Sequence, residues 1–398
     1  MSGLPLSGLR IIAVEQYGAG PFGTQHLADL GAEVIKIENP ADGGDVGRHV
    51  GPHFVAPGDS QFFQAFNRNK KSIALNIKKP EGYDIFTRLA TQADAVFDNL
   101  RGDLPAKLGI DYASLAHLNP ALVCVHLSAY GRTGSRAAWP GYDYLMQAEA
   151  GYLTLTGEPD GPPARAGLSI IDLMTGTTAA MALLAGVLDA RSSGTGRDMD
   201  VSLFDVALHN LAYLGTWYLN AGAVTRRAPL SSHPSLTPSQ LYRTADGWIF
   251  IMCNKEKFWR NMAELIGRPA WTDKPEYATF AARLASRDAF NAELEAVLTT
   301  KATDEWITIF AGKVPAAPVY DVAQALSSGF VAEQERVIGL DHPDSQNVRS
   351  IASPVRPAGA VLPNAAAPAM GSDTDSLLAA LGFDHAAIDR LRSEEVVA

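Results

Sequence analysis

Over the first 130 residues, short apolar runs alternate with amphipathic stretches. Residues 9–15 (LRIIAVE), 33–38 (EVIKIE), 72–76 (SIALN), 93–97 and 121–128 (ALVCVHLS) are compact apolar runs rich in β-branched side chains. Such runs predict strands buried on both faces. A helical stretch between the first two is opened by Pro21 and closed by Gly31, and another runs from Pro80 to Gln92. Strands alternating with helices predict βαβ units, an α/β class and a mainly parallel sheet. Ligands in such sheets collect beyond the C-terminal ends of the strands.

The pattern then changes twice. Residues 173–191 (LMTGTTAAMALLAGVLDAR) are small and apolar on most faces and predict a buried helix; a strand at 198–202 and a second long helix at 203–220 follow. Residues 222–240 carry Gly, three Pro, several Ser and the adjacent Arg226 and Arg227, a linker composition. Beyond it, LYRT-ADG-WIFIMC with Asp246-Gly247 at its turn predicts a hairpin. Helical segments at 255–266, 286–299 and 303–312 complete a smaller α+β region, and two more helical stretches end the chain at 374–382 and 385–396. The Ala/Pro-rich segment 362–371 predicts a surface connection.

Length and composition narrow the function classes. At 398 residues the chain exceeds one compact core, since cores stop growing near roughly 250–300 residues, so two domains or one domain with an insertion are expected. An apolar content of 47% excludes wholesale disorder. A net charge of −10 argues against nucleic acid as a partner, a local basic patch aside. Cys124 and Cys253, the two cysteines, cannot build a disulfide framework or a Cys-rich metal site and fit a reducing, cytoplasmic setting. The N-terminus lacks the apolar core of a secretory signal, and no run of about 18 apolar residues predicts a membrane span.

Gly18-Ala19-Gly20-Pro21-Phe22-Gly23 follows a strand, opens a helix, and has Glu38 twenty residues after its first glycine. Every element of a dinucleotide fingerprint is formally present, so an NAD(P)-dependent oxidoreductase is one reading. The plainer reading is a tight strand-to-helix turn that needs small residues. Nothing downstream supplies an obvious hydride-transfer site.

Several segments, in order, resemble a single family: PLSGLRIIAVEQYGAGPFGTQHLADLGAEVIKIENP, FNRNKKSIALNIKKPEG, FDNLRGDLPAKLGIDY, PGYDYLMQAEAGYLTLTGEPDGPP and LSIIDLMTGTTAAMALLAGVLDARSSGTGRDMDVSLFD. They are similar to the class III CoA-transferases, the CaiB/BaiF family. The resemblance covers essentially the whole chain and is densest over residues 5–215. It implies a Rossmann-like large domain made of residues 1–221 and 331–398, with an inserted smaller domain at 222–330. It further implies an interlocked homodimer, coenzyme A bound as an acyl-CoA substrate, and no metal or redox cofactor. The reaction implied is transfer of CoA, from a donor such as succinyl-CoA, to a small carboxylic or dicarboxylic acid.

The resemblance makes Asp172 the nucleophile. A carboxylate attacking an acyl-CoA gives a mixed anhydride and then an aspartyl-CoA thioester. A carboxylate is ordinarily ionised at pH 7, so no partner base is expected. Read alone, Asp172 is a helix N-cap worth about 1 kcal/mol; the two roles are compatible, because helix-end amides can also stabilise an oxyanion. Asp143 is the second acidic candidate, implied to contact the acyl group; read alone it is a helix-start acid. Tyr142 matches a family aromatic at the pantetheine channel. The racemase branch has a histidine there, and a phenol with pKa near 10 is a poor base, which argues against an acyl-CoA racemase or epimerase.

For CoA, Gly18 and Ala19 in the glycine-rich turn, Leu75, Asn99 and Leu100 are implied to line the site. Arg68, Lys70 and Lys71 form a basic cluster expected to meet the phosphates, although a solvated loop is the simpler reading of such a cluster. Lys107 stands where the family has an arginine, and the bidentate geometry is lost with it. Gly18 replaces the glutamine that formyl-CoA transferase holds over its acyl group, which argues against a formyl/oxalyl pair. In the smaller region, Lys255 or Lys257 could pair with a second substrate carboxylate; the plainer reading is an exposed first helical turn. His233 could border the site or be structural.

Overall fold

The computed structural model describes residues 3–398, which form two compact units. The first holds the described residues up to Ala150, with Gly167–Ala212 and Gln334–Ala398; the second holds Gly151–Ala166 and Tyr213–Glu333. Residues 151–166 and 213–221 therefore group with the second unit. The helix expected across 203–220 is two helices, Leu203–His209 and Ala212–Ala221, broken where Ala212 takes a φ of 46°.

The first unit is built on a six-stranded parallel sheet. Its strands are β1 (Arg10–Val14), β2 (Glu33–Glu38), β3 (Lys71–Ala74), β4 (Ala95–Asp98), β5 (Val123–Ser128) and β6 (Asp198–Ser202), in the order β3-β2-β1-β4-β5-β6. Every neighbouring pair is parallel, with Ile12 opposite both Ile35 and Val96. The strand order reverses between β1 and β4. A crevice forms where the following loops part, outside the C-terminal ends of those strands. The core under one face joins Ile12, Ile35, Phe86 and Val96 to Leu378, Ile388 and Val397 from the end of the chain.

Helix α1 (Ala19–Asp29) follows β1, helix α2 (Gln61–Asn67) precedes β3, and helix α3 (Asp143–Glu149) leads toward the long helix α4 (Ile170–Ser193). Helix α4 is long and apolar enough to cross a membrane by length and composition alone, a test that the core helix of a compact domain also passes, and half of its most apolar stretch is buried. Its Thr, Gly and Ala residues break up the large apolar side chains in the sequence. The same small residues let it pack closely: Gly186 leaves no room for a Cβ beside Val123 on β5, and Ala179 and Leu183 are fully buried.

In the second unit, strands Ser239–Arg243, Trp248–Met252 and Ala316–Pro318 form an antiparallel sheet. The Asp246-Gly247 hairpin is present, closed by Thr244 N–H to the Gly247 carbonyl at 3.0 Å. Its core gathers Tyr242, Ile249, Trp259, Phe290 and Trp306. Lys255 and Lys257 are exposed at the start of helix Glu256–Leu265. His233 is tied locally: its Nδ1 accepts from Ser235 N–H at 3.1 Å and its carbonyl accepts from Arg287 at 2.7 Å.

Candidate functional site

A cavity of about 220 Å³ lies in the crevice between the loops after β1 and β4. Gly18, Ala19, Asn99, Leu100, Tyr142 and Asp172 all line it. A neighbouring cavity of about 340 Å³ shares Gln16 and Leu100 with it and extends to Leu75 and Lys78. Six of the residues expected at the site thus face one space, and Leu75 faces the adjoining one.

The loop after β1 is held at both ends. Asn99 accepts from Gln16 N–H at 2.9 Å and donates its own amide to the Gln16 carbonyl at 2.7 Å. Tyr17 N–H donates to Asp45 Oδ1 at 2.8 Å, and Tyr17 has a φ of 68°. The glycines then let α1 and α4 touch. A Cβ on Gly23 would lie 2.4 Å from the Gly176 carbonyl oxygen, and one on Gly176 would lie 2.3 Å from the Ala19 carbonyl oxygen. A Cβ on Gly18 would lie 3.3 Å from Asp172 Oδ2. Of the fingerprint glycines, Gly23 is therefore used for helix packing, Gly20 makes room for the Asn99 side chain 2.9 Å from where its Cβ would be, and Gly18 for the Asp172 carboxylate.

The dinucleotide reading also loses its acceptor. Glu38 is buried and bonded to Arg48 (2.6 Å), Ser72 Oγ (2.6 Å) and Asp45 N–H (3.0 Å), and against the pull of burial Arg48 holds its pKa down to about 2. Glu38 is therefore already engaged and is not free to receive a ribose hydroxyl.

Asp172 is the third residue of α4, not its cap. The N-cap position is Ser169, whose side chain makes no capping bond; the capping carboxylate is that of Asp143, whose Oδ2 accepts from Ile171 N–H at 2.6 Å and Asp172 N–H at 3.0 Å, while Oδ1 accepts from Gln147 at 2.5 Å. The capping role expected of Asp172 thus belongs to a residue 29 positions upstream. Asp172 is only 8% exposed, and burial, with the nearby Asp143 charge, raises its pKa from 3.8 to about 7. Burial and the Asp143 charge thus work against the full ionisation at pH 7 expected of this carboxylate.

The phosphate cluster expected at Arg68–Lys71 does not reach this space. Arg68 is buried and forms a fork with Asp29 at 2.9 and 2.6 Å, beside a separate cavity also lined by Arg349 and Ser350. Lys70 is buried against Glu15 at 2.8 Å, and Lys71 pairs with Glu33 at 2.7 Å. Each charge already has its counter-charge, which the local spacing conceals. Lys107 is exposed, bonds Asp103 at 2.7 Å and lines neither cavity. Among the described residues, the cation lining the Asp172 cavity is Arg101 and the one lining the adjoining cavity is Lys78; both are also paired, Arg101 with Asp103 at 3.2 Å and Lys78 with Asp42 at 3.6 Å, so what sets them apart from the Arg68–Lys71 cluster is their place on the cavity walls and not a free charge. Neither stood out beforehand, although Arg101 directly follows Asn99-Leu100. Arg68→Ala is expected to destabilise the fold by about 3–5 kcal/mol, because Asp29 is left buried and uncompensated. Its KM for an acyl-CoA should stay unchanged, whereas Arg101→Ala should raise that KM with little change in melting temperature. Steady-state kinetics beside thermal melts separate the two.

Residues 6–374 match the model of the family described as CoA-transferase family III. The chain is 34% identical to a succinate–glutarate CoA-transferase of Agrobacterium fabrum over 365 residues, covering 88% of this chain and 89% of that protein. It is 31% identical to a succinyl-CoA:mesaconate CoA-transferase of Haloarcula marismortui, covering 95% and 97%. Among solved structures, a CaiB/BaiF family protein from Brucella suis superposes with a TM-score of 0.83 at 31% identity, covering 96% of this chain and all of that one.

Proposed function

The chain belongs to CoA-transferase family III, an enzyme family that transfers CoA between carboxylates, and from that premise we propose that Asp172 carries CoA from succinyl-CoA to a small dicarboxylic acid. The observation that carries this reading is one buried carboxylate, Asp172, on the wall of the cavity at the sheet's switch point.

The steps follow from carboxylate chemistry. An Asp172 oxygen bonds to the thioester carbonyl carbon, the C–S bond breaks, and the electron pair leaves on sulfur as CoA thiolate. The thiolate attacks the Asp172 side of the anhydride, freeing the donor acid and leaving an aspartyl-CoA thioester. The acceptor carboxylate attacks that thioester, and the returning thiolate takes the acceptor's acyl group and restores Asp172. Asp143 holds the start of α4, and so the position of Asp172, through its two amide bonds. Tyr142 is 64% exposed at the mouth of the cavity, suited to contact with the pantetheine arm.

The choice of succinyl-CoA and a diacid draws on the names of the Agrobacterium and Haloarcula relatives. The remaining expectations stand in the same proposal: a large domain of both chain ends with an inserted smaller one, a homodimer, and a cytoplasmic setting. The homodimer is supported by α4, where Met181 and Leu188 are 65% and 70% exposed on an otherwise core-forming helix. Incubation with succinyl-CoA and a panel of mono- and dicarboxylic acids tests the function. Mass spectrometry should find a new acyl-CoA for at least one diacid, and none from any acid would refute the proposal.

A further inference from the structure

The amides at the start of α4 are not free to receive a developing negative charge. Ile171 and Asp172 N–H both donate to Asp143 Oδ2. Acyl transfer at Asp172 nevertheless places a charge on the acyl oxygen, and a preorganised donor there is worth more than any other single contact. The donor must come from another part of the cavity wall.

Tyr17 lies on that wall with Asp172. Its φ of 68° is one a bulky aromatic adopts only where the surroundings over-determine it, and such strain gathers at functional sites. Three contacts impose it. Asp45 takes the Tyr17 N–H, Asn99 brackets Gln16 from both sides, and the Tyr17 ring rests on Phe62 with centroids 4.9 Å apart. The next residue, Gly18, puts no side chain into the space beside Asp172 Oδ2. Burial, then Asp172, Tyr144 and Tyr142, raise the Tyr17 pKa. The phenol, on the same cavity wall as the nucleophile, therefore stays protonated, a donor, at neutral pH.

We infer that Tyr17 is a further catalytic residue, whose hydroxyl donates a hydrogen bond to the acyl carbonyl oxygen as Asp172 attacks. The inference rests on the Asp172 chemistry proposed above. As the new C–O bond forms, the carbonyl π pair moves onto oxygen and is held there by the Tyr17 hydrogen bond. As the C–S bond breaks, the pair returns to re-form the carbonyl and sulfur leaves as thiolate. The phenol keeps its proton throughout.

Tyr17→Phe removes the hydroxyl and keeps the ring on Phe62. The expected result is a fall in kcat on the order of 10²-fold, with KM for both substrates and the melting temperature unchanged. Hydroxylamine trapping of the Asp172 acyl adduct in a single turnover should be slowed to the same degree. A kcat within about threefold of the unmodified protein, or a loss confined to KM, would overturn the assignment. Asp172→Asn is run alongside. If it still transfers CoA, the proposed function fails and this inference with it. If it is inactive while Tyr17→Phe is fully active, the Tyr17 assignment alone fails.

Discussion

Asp172→Asn is expected to lower CoA transfer by a factor on the order of 10⁴ or more and, at the same time, to stabilise the folded chain at neutral and alkaline pH. Both effects come from one carboxylate. The amide has the same shape and cannot form the anhydride, so activity is lost without a change in packing. Stability changes because the folded protein raises the Asp172 pKa from 3.8 to about 7. A carboxyl raised in this way is neutral and harmless below its unfolded value. As pH rises through the window between 3.8 and about 7, ionisation in the unfolded chain increasingly outcompetes folding. Above that window the disadvantage is complete, on the order of 4 kcal/mol. The asparagine variant should therefore melt with the unmodified protein near pH 4 and progressively above it toward pH 8. Activity of the unmodified protein should rise with pH through about 7 and then level, because the ionised form attacks. Asp143→Asn keeps an oxygen for the α4 amides and removes a negative charge, so it should move that profile to lower pH. Equal melting of Asp172→Asn and the unmodified protein at pH 8 would mean the carboxylate is not held in the buried, charge-opposed setting described.

The parallel sheet was legible because each strand is a short apolar run between turn residues, and burial on both faces demands that pattern. Asp172 was legible only through the resemblance. Its local context, an acid near a helix start, points first to a cap, and the carboxylate that caps those amides is that of Asp143, 29 residues away in sequence. The Arg68–Lys71 cluster misled for the same reason in reverse. The acids that neutralise it, Asp29, Glu15 and Glu33, come from segments 38 to 55 residues upstream. Charge pattern along a chain shows which side chains are polar. It does not show which of them remain unpaired once strands far apart in sequence lie side by side. Tyr17 escaped notice because its distinguishing property is a backbone angle, which no side-chain pattern records.

Gly23→Ala is expected to damage both fold and activity, although residue 23 touches no substrate. The added methyl would lie 2.4 Å from the Gly176 carbonyl oxygen, a backbone atom that cannot rotate away. Helices α1 and α4 must then part by roughly 1 Å to restore an ordinary contact, and overpacking of this kind costs about 1–3 kcal/mol. The displacement does not stay local. Helix α1 begins at Ala19, directly after the Gly18 that faces Asp172, and α4 carries Asp172 in its first turn. A shift of about 1 Å between nucleophile and thioester can cost on the order of 10²-fold in rate. The expected result is a lower melting temperature without any ligand present, together with a kcat loss near that size. The alternative origin of the glycines, clearance for a phosphate against the loop, makes the opposite forecast. There the ligand-free melting temperature would be unchanged and only the KM for the nucleotide-bearing substrate would rise. Thermal melts of the ligand-free variant decide between them. An unchanged melting temperature would show that α1 and α4 do not depend on the close approach of Gly23 and Gly176.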